Sequence, residues 1–274
     1  MNPLKLNLPK IGLGTWELKP QQAEFSVKKG IEIGYRFIDT AKAYKNEEGV
    51  GRGIKYAIEN LGIKREELIV GTKVFVFDLK PNKVFKSAEE SLNKLQLDYV
   101  DILYVHWPAF LFGYRHKETL GAFSQLVDEG RIKYIGVSNF TEKLIKDAMS
   151  VCDKPISFNQ VEHHPLLQQW NLLNFLKENN IQMVSYSPLA RGKINQVPEI
   201  IEIAKKHNVS PTQVSLAWIM ALGSIPIPKA TSEDHLKDNY DSLKLKLDNE
   251  DMEKIKNIKT QKRFVNPPVV RPKW

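Results

Sequence analysis

Short apolar and β-branched runs alternate along this chain with longer stretches whose apolar residues recur every three or four positions. The runs are Ile11–Gly14, Phe37–Asp39, Ile69–Lys73, Val100–His106, Tyr134–Ser138, Phe158–Glu162, Met183–Ser187 and Ser224–Pro228. Their length and their flanking polar or turn residues predict strands. The longer stretches predict amphipathic helices: Ala23–Ile33, where Phe25, Val27, Ile31 and Ile33 stand among lysines, then Val84–Leu95, Thr119–Glu129, Leu144–Met149 and Asn171–Glu178. Start and stop signals agree. Gly34 and Gly130 follow helical patterns as C-terminal glycines do, Thr141 opens a helix, and Ser210-Pro211 reads as an N-cap with proline at the first helical position.

Eight strands with intervening helices predict an α/β protein, specifically a closed (β/α)8 TIM barrel. The 274 residues suit one such barrel, which needs about 250. No Pro/Gly/Ser-rich linker divides the chain, so residues 1–274 are expected to form a single domain with a short N-terminal extension. An open doubly wound sheet is the alternative, because strand order is not written in the sequence. That fold would carry G-x-G-x-x-G between a strand and a helix. Gly12 and Gly14 begin the pattern, but position 17 is Glu17, and Gly49, Gly51 and Gly53 are spaced in twos.

Composition narrows the function classes. Hydrophobic residues at 42% and charged residues at 26% are those of a folded soluble protein, not a disordered chain or a membrane bundle. The apolar run Val214–Leu222 is too short to span a membrane, which takes about 18 residues. Met1–Lys10 has no apolar signal region, and the lone Cys152 cannot form an intrachain disulfide; both point to the cytoplasm. The net charge of +8 is spread among interleaved lysines and acids, as in Lys64–Glu67 and Glu250–Lys256. A nucleic-acid binder would concentrate it on one face. The surplus instead favours an anionic small molecule drawn toward a cleft.

A barrel's chemistry sits at the C-terminal ends of its strands. Here those ends carry Asp39, with Tyr44 five residues on, then Lys73, His106, Ser138-Asn139, Gln160 to Glu162, and Tyr186-Ser187. Singly, each has an ordinary explanation: an aspartate capping a helix, a packing tyrosine, a solvated lysine, a core histidine. At consecutive strand ends, Asp39, Tyr44, Lys73 and His106 together suggest a site. A carboxylate pairs with an ammonium, and the ammonium lowers the pKa of a neighbouring phenol. A phenol so acidified is a proton donor to a carbonyl oxygen.

These residues lie in longer motifs: GLGTW at 12–16, FIDTA at 37–41 with Tyr44, Asn46-Glu47 and Val50-Gly51, and Thr72-Lys73. LYVHWP at 103–108, GVSNF at 136–140, NQVE at 159–162 with His164-Pro165, YSPL at 186–189 and IPK at 227–229 follow. In order and spacing the chain resembles the aldo-keto reductases over residues 11–240, in a compact form. The resemblance implies reduction of aldehydes and ketones with NADP(H) and without a metal. It implies a catalytic tetrad of Asp39, Tyr44, Lys73 and His106, with Tyr44 giving the proton. It implies cofactor contacts from Thr15 and Trp16, from Ser138, Asn139 and Gln160 to the carboxamide, and from Tyr186 to the nicotinamide ring. Ser187, Leu189 and Arg191 would follow the pyrophosphate, Lys229 would meet the 2′-phosphate, and His235, Asp238 and Asn239 would lie near adenine. Trp16, Phe75, Trp107 and Phe110 would wall the substrate pocket. The C-terminal tail would fold over or near the barrel mouth, lending Phe264 or Trp274 to the pocket or capping the barrel. The expected partner is a small carbonyl compound, and the expected state a monomer.

Three other readings carry over. Lys73 at a strand end also suits a Schiff-base aldolase. A non-catalytic cofactor-binding member of the fold is a second. His163-His164 beside Glu162 invites a metal, but neighbours on a strand point to opposite faces. The adenine segment departs from the family pattern, with Ala230 in place of serine and His235 in place of arginine. NADP(H) is favoured and NAD(H) use is open, since histidine lacks the permanent guanidinium charge. The variant His235→Arg should therefore shift preference toward NADPH; equal selectivity before and after would show that position 235 does not read the phosphate.

Overall fold

In the structure, a computed structural model that describes residues 8–274, all eight expected runs form strands. They are β1 (Leu13–Gly14), β2 (Phe37–Asp39), β3 (Ile69–Val74), β4 (Val100–Val105), β5 (Ile132–Ser138), β6 (Ile156–Glu162), β7 (Gln182–Tyr186) and β8 (Ile225–Pro226). They lie side by side in chain order, each parallel to the next. The sheet closes on itself through backbone bonds from Gly12 N to Pro226 O (2.9 Å) and Gly14 N to Pro228 O (3.0 Å). The closed (β/α)8 barrel is thus the fold.

One helix follows each of the first six strands: α1 (Pro20–Ile33), α2 (Glu47–Leu61), α3 (Pro81–Leu95), α4 (His116–Asp128), α5 (Glu142–Met149) and α6 (Trp170–Glu178). Two, α7 (Pro198–His207) and α8 (Pro211–Ala221), lie between β7 and β8; α9 (Glu233–Asp241) and α10 (Asn249–Lys256) end the fold. The expected caps are present: Thr141 and Ser210 side chains accept from Leu144 N and Gln213 N. The periodicity argument passes over α2, α7, α9 and α10. Helices α9 and α10 are dominated by charged and polar residues, each burying one large apolar side chain, Leu236 or Ile255. Helix α2 is broken on paper by Gly49, Gly51 and Gly53.

Those glycines have a packing role. A Cβ on Gly49 would collide with the Pro20 carbonyl oxygen, and one on Gly51 would lie 2.5 Å from Leu95 O. Helix α2 therefore touches the start of α1 and the end of α3 backbone to backbone. Such intimacy requires glycine despite its cost of about 1 kcal/mol in a helix.

Two apolar layers result. Ile38, Val70, Leu103, Val105, Val137 and Val161 face the helices, in the large core between sheet and helix ring. Phe37, Ile102, Tyr104, Phe158, Val184, Ile225 and Ile227 fill the barrel itself. Alanine at position 51 should cost about 1–3 kcal/mol by overpacking, read as a fall of roughly 3–10 °C in melting temperature. Gly121→Ala in α4, where an added Cβ meets nothing within 4 Å, should hold or raise it. Equal effects at the two positions would refute the close-packing account of α2.

Candidate active site

Side chains alternate along a strand, so the barrel's inward residues continue upward at every second position. Above Phe37 comes Asp39, above Gly71 comes Lys73, above Tyr104 comes His106, and above Phe158 comes Gln160. The lower layer is apolar and the upper layer is polar. Tyr104 forms the floor between them: its ring lies 5.8 Å from Lys73 Nζ, and a side chain at Gly136 would run into it.

At the centre, Lys73 Nζ reaches both carboxylate oxygens of Asp39 (2.6 and 2.7 Å) and the carbonyl of Thr40 (2.8 Å). Gln160 donates its side-chain N–H to Asp39 Oδ2 at 3.0 Å. Strands β2 and β6 would stand roughly 19 Å apart in a flat sheet at about 4.8 Å per strand. Only the closed barrel brings those two residues into contact. Thr15 Oγ1 donates to the Asp39 carbonyl at 3.0 Å and so binds the β1 loop to the same point.

Tyr44 ends a 3-10 turn, Lys42–Tyr44, just after β2. Asn46 holds that turn to the β1 loop, donating to Thr15 O and Leu18 O (2.8 and 2.9 Å) and accepting from Thr40 Oγ1. Lys42 holds it from the other side through Asp78 (2.9 Å) and Glu90 (2.8 Å). The Tyr44 ring centroid is 4.9 Å from Lys73 Nζ and 5.9 Å from the His106 ring, which it meets edge-on. The four residues singled out at strand ends are thus one cluster.

Its electrostatics differ from the expectation in one respect. The Tyr44 hydroxyl is pushed up, not down, by burial and then by the negative charge of Asp39. Lys73 is so closely paired with Asp39 that its charge is largely cancelled at the phenol. Burial also pushes Asp39 up and Lys73 down, against the attraction of the pair. His106 falls to about 3, through burial first and the Lys73 charge second, and is neutral at physiological pH.

Above this cluster opens a cleft of about 590 Å³. Asp39, Tyr44 and His106 line it, with Thr15, Trp16, Ser138, Asn139, Gln160, Tyr186, Ser187, Leu189, Arg191, Lys229 and Trp107. Lys73 stays beneath, 1% exposed. Asn139 donates to His106 O (3.1 Å) and Ser138 Oγ (3.0 Å) and accepts from the Tyr186 hydroxyl (2.8 Å), tying the ends of β4, β5 and β7 together. Asn139, Ser187, Ala190, Arg191 and Glu17 all have φ between 47° and 64°. Left-handed backbone costs non-glycine residues roughly 1–2 kcal/mol each, and here it gathers around the cleft.

Other residues fall elsewhere. His235, Asp238 and Asn239 lie on α9 outside the cleft lining; His235 is exposed, Asn239 is buried, and Asp238 accepts from Ser210 Oγ at 2.9 Å. Phe75 packs on Phe77, and Phe110 on Tyr114 and His116, away from the lining. The tail does come over the mouth, but neither Phe264 nor Trp274 lines the cleft. Buried Glu162 accepts the backbone N–H groups of Phe264 (2.7 Å) and Val265 (2.9 Å), which turns Val265 into the cleft and Phe264 onto His164. Trp274 stacks on Arg263, 3.5 Å away. Sequence reasoning missed Glu17 and Val265. An acid directly after Trp16 was the only signal for the first, and nothing local marks the second. His163 and His164 lie past the end of β6, not on the strand, and take different partners: His163 meets Ser185 Oγ (2.8 Å) and His164 meets Glu162 (3.1 Å).

The profile of the aldo/keto reductase family matches residues 10–260. The chain is 39% identical over 270 residues to a methylglyoxal reductase, DkgB, of Yersinia pestis, covering 98% of this chain and 100% of that one. It is 40% identical over 263 residues to a glyoxal reductase of Bacillus subtilis, covering 94% and 91%. In structure it is similar to an aldose reductase of Schistosoma japonicum, with a TM-score of 0.90 at 31% identity over 97% and 94% of the two chains. The chain belongs to the aldo/keto reductase family and is an oxidoreductase of that type. These two relatives are named as reductases of methylglyoxal and of glyoxal.

The His106 pKa has a consequence for stability. Its folded value, about 3, lies below the unfolded value of about 6.5. The unfolded chain thus binds the extra proton first, and stability present above pH 6.5 is lost as the pH falls toward 3. His106→Gln lacks that loss. Its melting temperature should gain on the wild type between about pH 7 and 4; a constant difference would show that the imidazole titrates normally in the folded protein.

Proposed function

We propose that this protein is an NADPH-dependent carbonyl reductase in which Tyr44 is the general acid. The gathering of Tyr44, Lys73, Asp39 and His106 at the base of one cleft carries this reading. The cleft also suits a nicotinamide dinucleotide. Amide and hydroxyl groups of Ser138, Asn139 and Gln160 stand at its inner end, beside the ring of Tyr186. Ser187 and Arg191 line it on left-handed backbone, with Leu189 between them, and Lys229 lines it as well. That sequence of polar, aromatic and cationic groups matches a carboxamide, a flat ring and phosphates. His235, Asp238 and Asn239 on the neighbouring helix would approach adenine.

A reduced nicotinamide, when bound, supplies hydride to a carbonyl carbon. The chain supplies the rest. Burial and Asp39 keep the Tyr44 hydroxyl protonated at neutral pH, so it stands ready to donate. As negative charge develops on the carbonyl oxygen, Tyr44 passes its proton there and becomes a phenolate. The Lys73 ammonium is the nearest positive charge to that phenolate, and Asp39 fixes its position. Neutral His106 holds the carbonyl oxygen as a hydrogen-bonding group without bringing a charge of its own. The groups are preorganised, so little reorganisation is needed at the moment of transfer. Trp16 and Trp107 form the substrate walls, with Phe75 and Phe110 on adjoining loops. Small aldehydes, including 2-oxoaldehydes such as the relatives' substrates, fit this space. The reading places the protein in the cytoplasm as a monomer, in keeping with its single thiol; among the described residues no helix is long and apolar enough to cross a membrane.

The aldolase alternative is disfavoured by the geometry of Lys73. A Schiff-base lysine must present a free amine to substrate, whereas this Nζ is buried and engaged with Asp39 and Thr40. Oxidation of NADPH by glyoxal, methylglyoxal and an aromatic aldehyde, followed at the nicotinamide absorbance, tests the activity. Tyr44→Phe should lower turnover by about 10²–10⁴-fold while nucleotide still quenches tryptophan fluorescence. Undiminished turnover by that variant would remove Tyr44 from the acid role.

A further inference from the structure

We propose that Glu17 sets the choice between phosphorylated and unphosphorylated nicotinamide dinucleotides, by competing inside the cleft for Lys229. The inference rests on the reductase reading above and concerns the outer end of the same site. Among the residues lining the cleft, the permanent positive charges are Arg191 and Lys229. Both stand over the Trp16 indole, with Arg191 4.9 Å and Lys229 5.7 Å from its ring centroid. Lys229 is not free. Its Nζ donates to Glu17 Oε2 at 3.0 Å. The other lining carboxylate, Asp39, is matched by Lys73, so the Glu17–Lys229 pair leaves Arg191 as the one uncompensated cation of the described lining.

The backbone at Glu17 supports a role for the acid. Residues Thr15 to Leu18 make a tight turn, closed by Leu18 N to Thr15 O at 3.1 Å. Glu17 is its third residue and has a φ of 62°, a conformation that favours glycine. Buried Leu18 on one side and buried Thr15 on the other hold the turn in place. The strained position carries a side chain that reaches across from the β1 loop to Lys229 in the loop after β8.

The consequence is electrostatic. A 2′-phosphate carries about −1.5 to −2 charges, as phosphate monoesters do. To reach Lys229 it must displace the Glu17 carboxylate and then remain beside it. A ribose with a free 2′-hydroxyl meets no such opposition. Lys229 is 40% and Glu17 56% exposed, so water screens the effect. A discrimination of roughly three- to tenfold is the scale for partly hydrated charges a few ångströms apart.

Dissociation constants of NADPH and NADH, measured by nicotinamide fluorescence at low ionic strength, test this for the wild type, Glu17→Gln and Glu17→Gly. Glutamine keeps the size of the side chain and removes its charge; glycine also relieves the turn. Both variants should raise the ratio Kd(NADH)/Kd(NADPH) by about three- to tenfold over the wild type, and the gain should shrink as salt rises toward about 0.5 M. A ratio within twofold of the wild type in Glu17→Gln would overturn the proposal and leave the reductase reading intact. Absence of binding of either nucleotide by the wild type would overturn both.

Discussion

The ion pair between Lys73 and Asp39 constrains everything around the cleft. Two charges taken from water cost several kcal/mol each, and their attraction offsets that only with close geometry and full hydrogen bonding. Here both conditions are met. The ammonium donates to Asp39 and to a backbone carbonyl, and the carboxylate also receives Gln160 from the opposite wall. Removing either partner would leave a buried charge alone, a loss of about 3–5 kcal/mol. The pair therefore ties β2, β3 and β6 together, and the Tyr44 ring stands beside it, 4.9 Å from Lys73 Nζ.

The same pair determines what kind of acid Tyr44 can be. A lone ammonium beside a phenol would acidify it in the resting protein. An ammonium already matched by a carboxylate does not, and burial raises the phenol further. As the proposed general acid, Tyr44 would consequently hold its proton until negative charge forms on a substrate oxygen. His106, kept neutral by burial and by the same Lys73, adds direction without adding charge. In the proposed mechanism the site is nearly silent electrostatically at rest and responds when the substrate polarises.

Farther out, the cleft is built from loops that are not at ease. Left-handed backbone at Glu17, Asn139, Ser187, Ala190 and Arg191 is sustained by the surrounding bonds, such as those binding Asn139 to Tyr186 and His106. The buried carboxylate of Glu162 does similar work for the tail, gripping two backbone N–H groups so that Val265 closes one side of the mouth. Strain of this kind persists where the framework over-determines it, and functional sites are where it collects.

Much of this was legible in the residues themselves. Strand runs and helical periodicity gave the (β/α)8 order, and polar residues at the strand ends marked the cluster, because alternation along a strand is a local property. The helices that escaped notice, α2 above all, did so because their glycines obey a neighbour rather than a propensity. The direction of the Tyr44 shift, the contact between Asp39 and Gln160 across the barrel, the turning of Val265 rather than Phe264 into the cleft and the pairing of Glu17 with Lys229 join residues separated by 103 or more positions, or depend on the sum of buried charges. A linear pattern shows which chemical groups are available at each level of the barrel. Which of them meet, and how far their charges cancel, is decided only when the sheet closes and water is excluded.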